Sequence, residues 1–188
     1  MFKKKDYKLF IYCPYHDRNM SKSDSFFIRQ TINAGDTNTF NQTEIDLGFV
    51  VDALGKSVCR IHNIAVQISD STGVGLQVAA NSAAVAQFQL TTQSQGAMIL
   101  PDNRSIVSSG SLYAVNDLSS EDFPAVYDKL DNLPQQWTNG YLVAVEQLYL
   151  GAQASTAWDS DVYITIVMEC TAETMTQAAA MALSLSQQ

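Results

Sequence analysis

Alternation of apolar and polar side chains along residues 161–172 constrains this chain more than any other feature. Val162, Ile164, Ile166, Met168, Cys170 and Ala172 fall on one face of an extended backbone, with Asp161, Tyr163, Thr165, Glu169 and Thr171 on the other. Period two marks a half-buried strand, and this one is long. Residues 58–69 repeat the pattern, setting Ile64, Val66 and Ile68 against Ala65, Gln67 and Ser69. Residues 141–150 are apolar on both faces, Tyr141, Val143, Val145 and Tyr149 opposing Leu142, Ala144, Leu148 and Leu150. That predicts one strand covered on both sides, at a sandwich edge, under a helix or against a neighbouring subunit.

Weaker alternation predicts further strands over residues 25–33, 37–47, 85–92 and 105–115, separated by turn-forming clusters at 33–36, 71–73, 101–103 and 108–110. Residues 52–55 are expected to close a short helical turn. Ser119, Ser120, Glu121 and Asp122 offer N-caps for a second helix over 123–130. Residues 176–185, rich in Ala, have high helix propensity but little amphipathic pattern. About eight strands, with regular turns and few helical windows, make an all-β chain, an antiparallel β-sandwich or barrel. No repeat of 20–50 residues points to a propeller or solenoid. Nor does any linker divide the body, so residues 23–175 read as one sandwich domain between an arm, 1–22, and an extension, 176–188.

Charge separates the arm from the body. Residues 1–22 carry six basic and two acidic side chains, a net of +4, whereas 23–188 carry five and seventeen, a net of −12, with no Lys or Arg after Lys129. An acidic body repels phosphate, so contact with nucleic acid is left to the arm. The arm's apolar run, Leu9 to Tyr12, is too short for the core of a secretory signal, and no apolar run reaches the length of a membrane span. Cys13, Cys59 and Cys170 are odd in number and widely spaced, implying no disulfide framework and a reduced site of synthesis.

The chain carries no phosphate-binding loop, nucleophile elbow or paired-histidine metal motif. Cys13 and His16 have metal-ligand spacing, but His62 is the only other histidine. Gly73-Val74-Gly75 begins a dinucleotide fingerprint without the helix that should follow it. Asp159 and Asp161 read as solvated neighbours at a strand start, and His62 lacks a nucleophile to serve. We therefore expect no enzyme, no cofactor and no metal. Trp137, Trp158 and Tyr141 are the candidate stacking platforms for the alternative reading, a carbohydrate- or receptor-binding β-sandwich module of a phage or cell-surface protein.

The basic arm over residues 1–21, a first strand beginning Ser23-Asp24-Ser25-Phe26-Phe27-Ile28, and a last strand over 162–169 leading into a terminal extension together resemble the single jelly-roll capsid proteins of icosahedral viruses. The likeness spans the whole chain and is one of architecture, not of motif. It implies a jelly roll of about eight strands. It also implies a virion structural protein, made in the host cytoplasm, that self-assembles as a homo-oligomer into a capsid shell, with other capsid proteins as further partners. Subunits of such families associate through strand edges, loops and swapped termini. The expected assembly contacts are thus Lys3, Lys4, Lys5, Tyr7, Leu9 and Phe10 in the arm, and Met181, Leu183 and Leu185 in the extension. The arm departs from the long arginine-rich arms of genome-binding capsids. That suits a shell over an internal membrane, or an outer or minor shell protein, and leaves genome, lipid and neighbouring subunit open as its contact.

Overall fold

The computed structural model describes residues 22–52, 56–117, 125–129 and 137–187, the segment 125–129 by its backbone. Across these residues nine strands form two antiparallel sheets. Sheet A runs, in spatial order, β1 (Phe26–Gly35), β9 (Val162–Thr174), β3 (Ser57–Ser69) and β7 (Tyr141–Val143). Sheet B runs β2 (Asn41–Asp46), β8 (Gln147–Ala154), β4 (Ser82–Thr91), β5 (Ile106–Asn116) and β6 (Ala125–Lys129). The helix α1 (Gln177–Ser186) follows β9.

The pairing is that of one long hairpin wrapped over itself. β1 pairs with β9, β2 with β8, β3 with β7 and β4 with β5, while β3 also pairs with β9 and β4 with β8 inside their sheets. This connectivity is the jelly roll. β6 is an added edge strand beside β5.

Alternation explains why the wrap closes. Val162, Ile164, Ile166, Met168 and Cys170 are wholly buried and join Cys59 and Ile61 of β3, Phe88 and Leu90 of β4 and Leu148 and Leu150 of β8 in one core. Each large side chain so buried contributes about 1.5–3 kcal/mol.

The sequence-based expectations fail at four places, the first being the turn expected at 108–110, which instead lies within β5 and pairs with β4 from Ser108 opposite Leu90 to Gly110 opposite Phe88. Residues 123–130 were expected to be helical, yet 125–129 form β6, in register with β5 from Ser111 opposite Lys129 to Val115 opposite Ala125. A free ladder edge on β5 outweighs weak helix signals around Val126 and Tyr127. Residues 141–150 are not one strand but two, β7 in sheet A and β8 in sheet B, with the chain crossing between sheets at residues 144–146. Both faces are apolar because the crossing carries Val143 and Leu148 into the main core and Ala144 to the outside of sheet A. Beyond Cys170 the burial of β9 inverts. Ala172 is only half-buried, while Thr171 and Glu173, on the supposedly wet face, are buried. The expected turn at 52–55 lies largely outside the described residues.

Candidate functional site

Lys22 and the end of β9, which leads into α1, meet at one corner of sheet A. Lys22 forms a β-bridge with Glu173, and next to it the Ser23 amide donates to the Ala172 carbonyl while the Ala172 amide donates to Ser23 Oγ. The chain thus enters beside the end of β9, and Thr176, the N-cap of α1, lies three residues beyond Glu173.

Glu173 is only 1% exposed although it is charged. Arg60, on the neighbouring strand β3, grips its carboxylate with two parallel bonds, Nε to Oε1 at 2.7 Å and Nη2 to Oε2 at 2.8 Å, and Lys22 Nζ stands 3.0 Å from Oε1. The remaining guanidinium nitrogen donates to the Asn139 carbonyl. Planar, bidentate donation is the strong form of this interaction. The hydrogen bonds from Arg60, assisted by Lys22, hold the Glu173 carboxyl down at about 2 against the opposing effect of burial. The same pairing raises the Arg60 guanidinium. Beside this cluster, His62 Nε2 shares a 2.9 Å hydrogen bond with Thr171 Oγ1.

Next to the ion cluster, α1 lies on the outer face of sheet A. Thr176 Oγ1 accepts from the Ala179 amide to start the helix. Ala180 and Leu183 turn inward onto Val58, Leu142, Ala144 and Met175, a small second core. Gln187 closes the far end. It is buried, its Oε1 accepts from the Ala144 amide at 3.0 Å, its Nε2 donates to the Leu142 carbonyl at 2.7 Å, and its own carbonyl accepts from Thr92 Oγ1 at 2.6 Å. The opposite side of the helix carries Ala178, Met181, Ala182 and Leu185, all exposed. Their spacing of three and four residues makes one apolar stripe.

Two clefts flank Arg60. One, of about 350 Å³, is lined by Arg104, Tyr141, Leu183 and Gln187, and the other, of about 440 Å³, by Lys22, His62, Thr138 and Asn139. Lys22, Arg60 and Arg104 give this corner a basic surface on an otherwise acidic body, suited to a carboxylate from outside.

Of the residues expected to make assembly contacts, Leu183 packs onto its own sandwich, Met181 is 44% exposed and Leu185 66% exposed. Lys3, Lys4, Lys5, Tyr7, Leu9 and Phe10 lie outside the described residues, as do Cys13 and His16. Trp158 is no stacking platform. It is buried in the main core and donates its indole N–H to the Val85 carbonyl. Trp137 and Tyr141 pack on one another, ring centroids 5.1 Å apart, and against the same core. Asp159 accepts from the Gln77 amide and Asp161 from the Asn33 side chain, so the two carboxylates brace separate contacts. Cys59 donates to Cys170 within the core, which with burial raises the Cys59 thiol. Among the described residues no group of three or more His, Cys, Asp and Glu side chains is arranged to hold a metal ion, and no helix is long and apolar enough to cross a membrane. Arg60, Glu173 and Gln187 went unnoticed in the sequence. The available signal was Arg60, the one Lys or Arg in β3, and Glu173, one of two carboxylates in β9 with Glu169.

No protein-family model and no curated protein matches the chain. Among solved structures it is similar to a chain of desmodium yellow mottle tymovirus, 13% identical over 92% of this chain and 96% of that one, with a TM-score of 0.37. It is also similar to a chain of turnip yellow mosaic virus, 9% identical over 80% of this chain and 93% of that one, with a TM-score of 0.29. Scores this low leave the functional reading to the geometry of this chain.

Proposed function

We propose that the chain is a virion structural protein whose activity is self-association into a closed capsid shell, not turnover. Jelly rolls serve as capsid, lectin and cupin domains. The cupin role asks for a histidine cluster, and the chain has two histidines in all. The lectin role on the tryptophans asks for exposed rings, and Trp158 is in the core.

The observation that carries the capsid reading is α1. This helix is apolar on both sides, and its own sandwich covers only the side bearing Ala180 and Leu183. A helix apolar all round is stable when buried all round, and a second copy supplies the missing cover over Met181 and Leu185. The basic corner beside it, Lys22 with Arg104, meets an acidic body of net −12 on that copy. Lys22 stands at Glu173, three residues before the N-cap of α1, which supports a part for the arm in the same contact.

The test is assembly of the full chain, followed by analytical ultracentrifugation and electron microscopy. The wild type is expected to form closed particles whose yield falls with rising salt. Met181→Glu with Leu185→Glu is expected to shift most of the protein to small species while unfolding within a few degrees of wild type. A wild type that stays at 20.6 kDa at every concentration and ionic strength overturns the reading. Particles formed equally well by the double variant overturn the role of α1.

A further inference from the structure

The outer face of sheet B holds a cleft of about 470 Å³ that the assembly reading does not use. Its floor is the middle of β4 and β5. Gln87 stands opposite Ser111, Gln89 opposite Ser109, and Val85 opposite Tyr113, all on the side of the sheet away from Phe88 and Leu90. Its wall is Met98, Ile99, Leu100 and Pro101, from the connection between the two strands.

The wall is fixed in place. Gln89, with no exposed surface, spends its side-chain amide on this connection, Nε2 donating to the Ala97 carbonyl at 3.0 Å and Oε1 accepting from the Ile99 amide at 2.9 Å. Gln42 Oε1 holds the start of the same connection by accepting from Ser94 Oγ and the Gln95 amide. The cleft is therefore preformed, and its volume falls in the usual range for small-molecule sites, about 300–1,000 Å³.

The lining selects the ligand. Among the described residues no charged side chain lines the cleft, on a chain dominated by charge of one sign. The Gln87 amide and the Ser109, Ser111 and Tyr113 hydroxyls have no hydrogen-bond partner among the described residues. Amides and hydroxyls both donate and accept, which matches the hydroxyls of a sugar. The Tyr113 ring, 43% exposed, and the Met98 to Leu100 wall offer apolar surface for the C–H face of a pyranose. An extended peptide is a poorer fit. Strand addition needs a free backbone edge, and β4 and β5 are each paired on both sides.

From this we infer that the cleft between Gln87, Ser109, Ser111, Tyr113 and the 98–101 wall is a binding site for a neutral mono- or disaccharide unit. The inference goes beyond the assembly reading and does not depend on it.

Saturation-transfer NMR of the full chain with a panel of neutral disaccharides (lactose, maltose, cellobiose and chitobiose) tests the site, with a sialylated and a sulfated sugar alongside. At least one neutral sugar is expected to bind saturably and independently of salt, and to weaken about tenfold or more in Tyr113→Ala and in Gln87→Ala. Both variants should unfold like wild type, and Met181→Glu should leave binding unchanged. No binding across the neutral panel overturns the inference, as does binding that survives both substitutions, or binding confined to the anionic sugars. Loss of assembly in Tyr113→Ala without any sugar binding would make the cleft a subunit contact and overturn it too. A chain that stays monomeric yet binds a neutral sugar at this cleft refutes the capsid reading and sustains this one.

Discussion

The two outer faces of the sandwich treat their polar groups in opposite ways. On sheet A, near α1, the buried polar groups find partners: Glu173 holds Arg60 and Lys22, Gln187 ties together Ala144, Leu142 and Thr92, and His62 meets Thr171. On sheet B, Gln89 is similarly spent on the 93–101 connection, but the neighbouring Gln87, Ser109, Ser111 and Tyr113 are left facing a cleft. A buried polar group that is satisfied internally holds structure, and a half-exposed one without an internal partner beside a preformed wall is available to a ligand. Sheet A is thus the face where stability is concentrated, and the cleft on sheet B is the face where substitution should cost affinity alone.

The sharpest way to break that contrast is Glu173→Ala. Removing the carboxylate leaves Arg60, whose side chain is 15% exposed, without its counter-charge. Loss of one partner of a buried pair is the costly case, here about 3 kcal/mol, or a fall in Tm of about 6–12 °C. Most of this comes from Arg60, because Lys22 is 55% exposed and its attraction is screened by water. Replacing both partners, Arg60→Met with Glu173→Leu, should recover most of the loss. The same pair sets a pH dependence. Folding lowers the Glu173 carboxyl from its ordinary 4.5 to about 2. The folded state therefore binds the proton less readily than the unfolded chain. Its contribution is fully present above pH 4.5 and drains away as pH falls towards about 2, and acid titration of Glu173→Gln should lack that component. A Glu173→Ala protein as stable as wild type would mean that the corner contributes no more than the open cleft does.

A smaller effect is expected at Gln187. Gln187→Ala removes the acceptor for the buried Ala144 amide and the donor to the Leu142 carbonyl together. Stranding one buried amide costs about 1–2 kcal/mol. The loss should be local, seen as faster hydrogen exchange in α1 and in residues 142–144, while β4 and β5 keep wild-type protection.

How much of this could be read from the chain follows from where each feature gets its energy. The core of β9 and β3 was legible because a half-buried strand writes its own burial as period two, and Val162 through Cys170 obey it. The crossing at 144–146 was not, since a strand covered twice and a chain changing sheets leave the same apolar pattern at Tyr141 to Leu150. β6 was hidden for a related reason: five residues with only Val126 and Tyr127 favouring a strand are a weak signal on their own, and it is the ladder with β5 that defines them. Arg60 and Glu173 are 113 residues apart, and only the antiparallel pairing of β3 with β9 makes them neighbours. The cleft was less legible still. Gln87, Ser109 and Ser111 look like any outward strand positions, and it is the hold of Gln89 on Ala97 and Ile99 that gives them a wall.

The smallest effect on stability is expected at the floor of that cleft, and its smallness is informative. Ser111 Oγ has no partner among the described residues, so Ser111→Ala strands no donor or acceptor among them. The substitution removes one oxygen from the outward face of β5 and leaves its ladder bonds to β4 and β6 intact. Surface changes of this kind fall within about 0.5 kcal/mol of wild type, so chemical denaturation should give an unchanged slope and a midpoint almost unmoved. If Ser111→Ala instead cost as much as Gln187→Ala, the hydroxyl would be doing for sheet B what Gln187 does for sheet A. The cleft would then be a structural contact, and the contrast between the two faces would no longer hold.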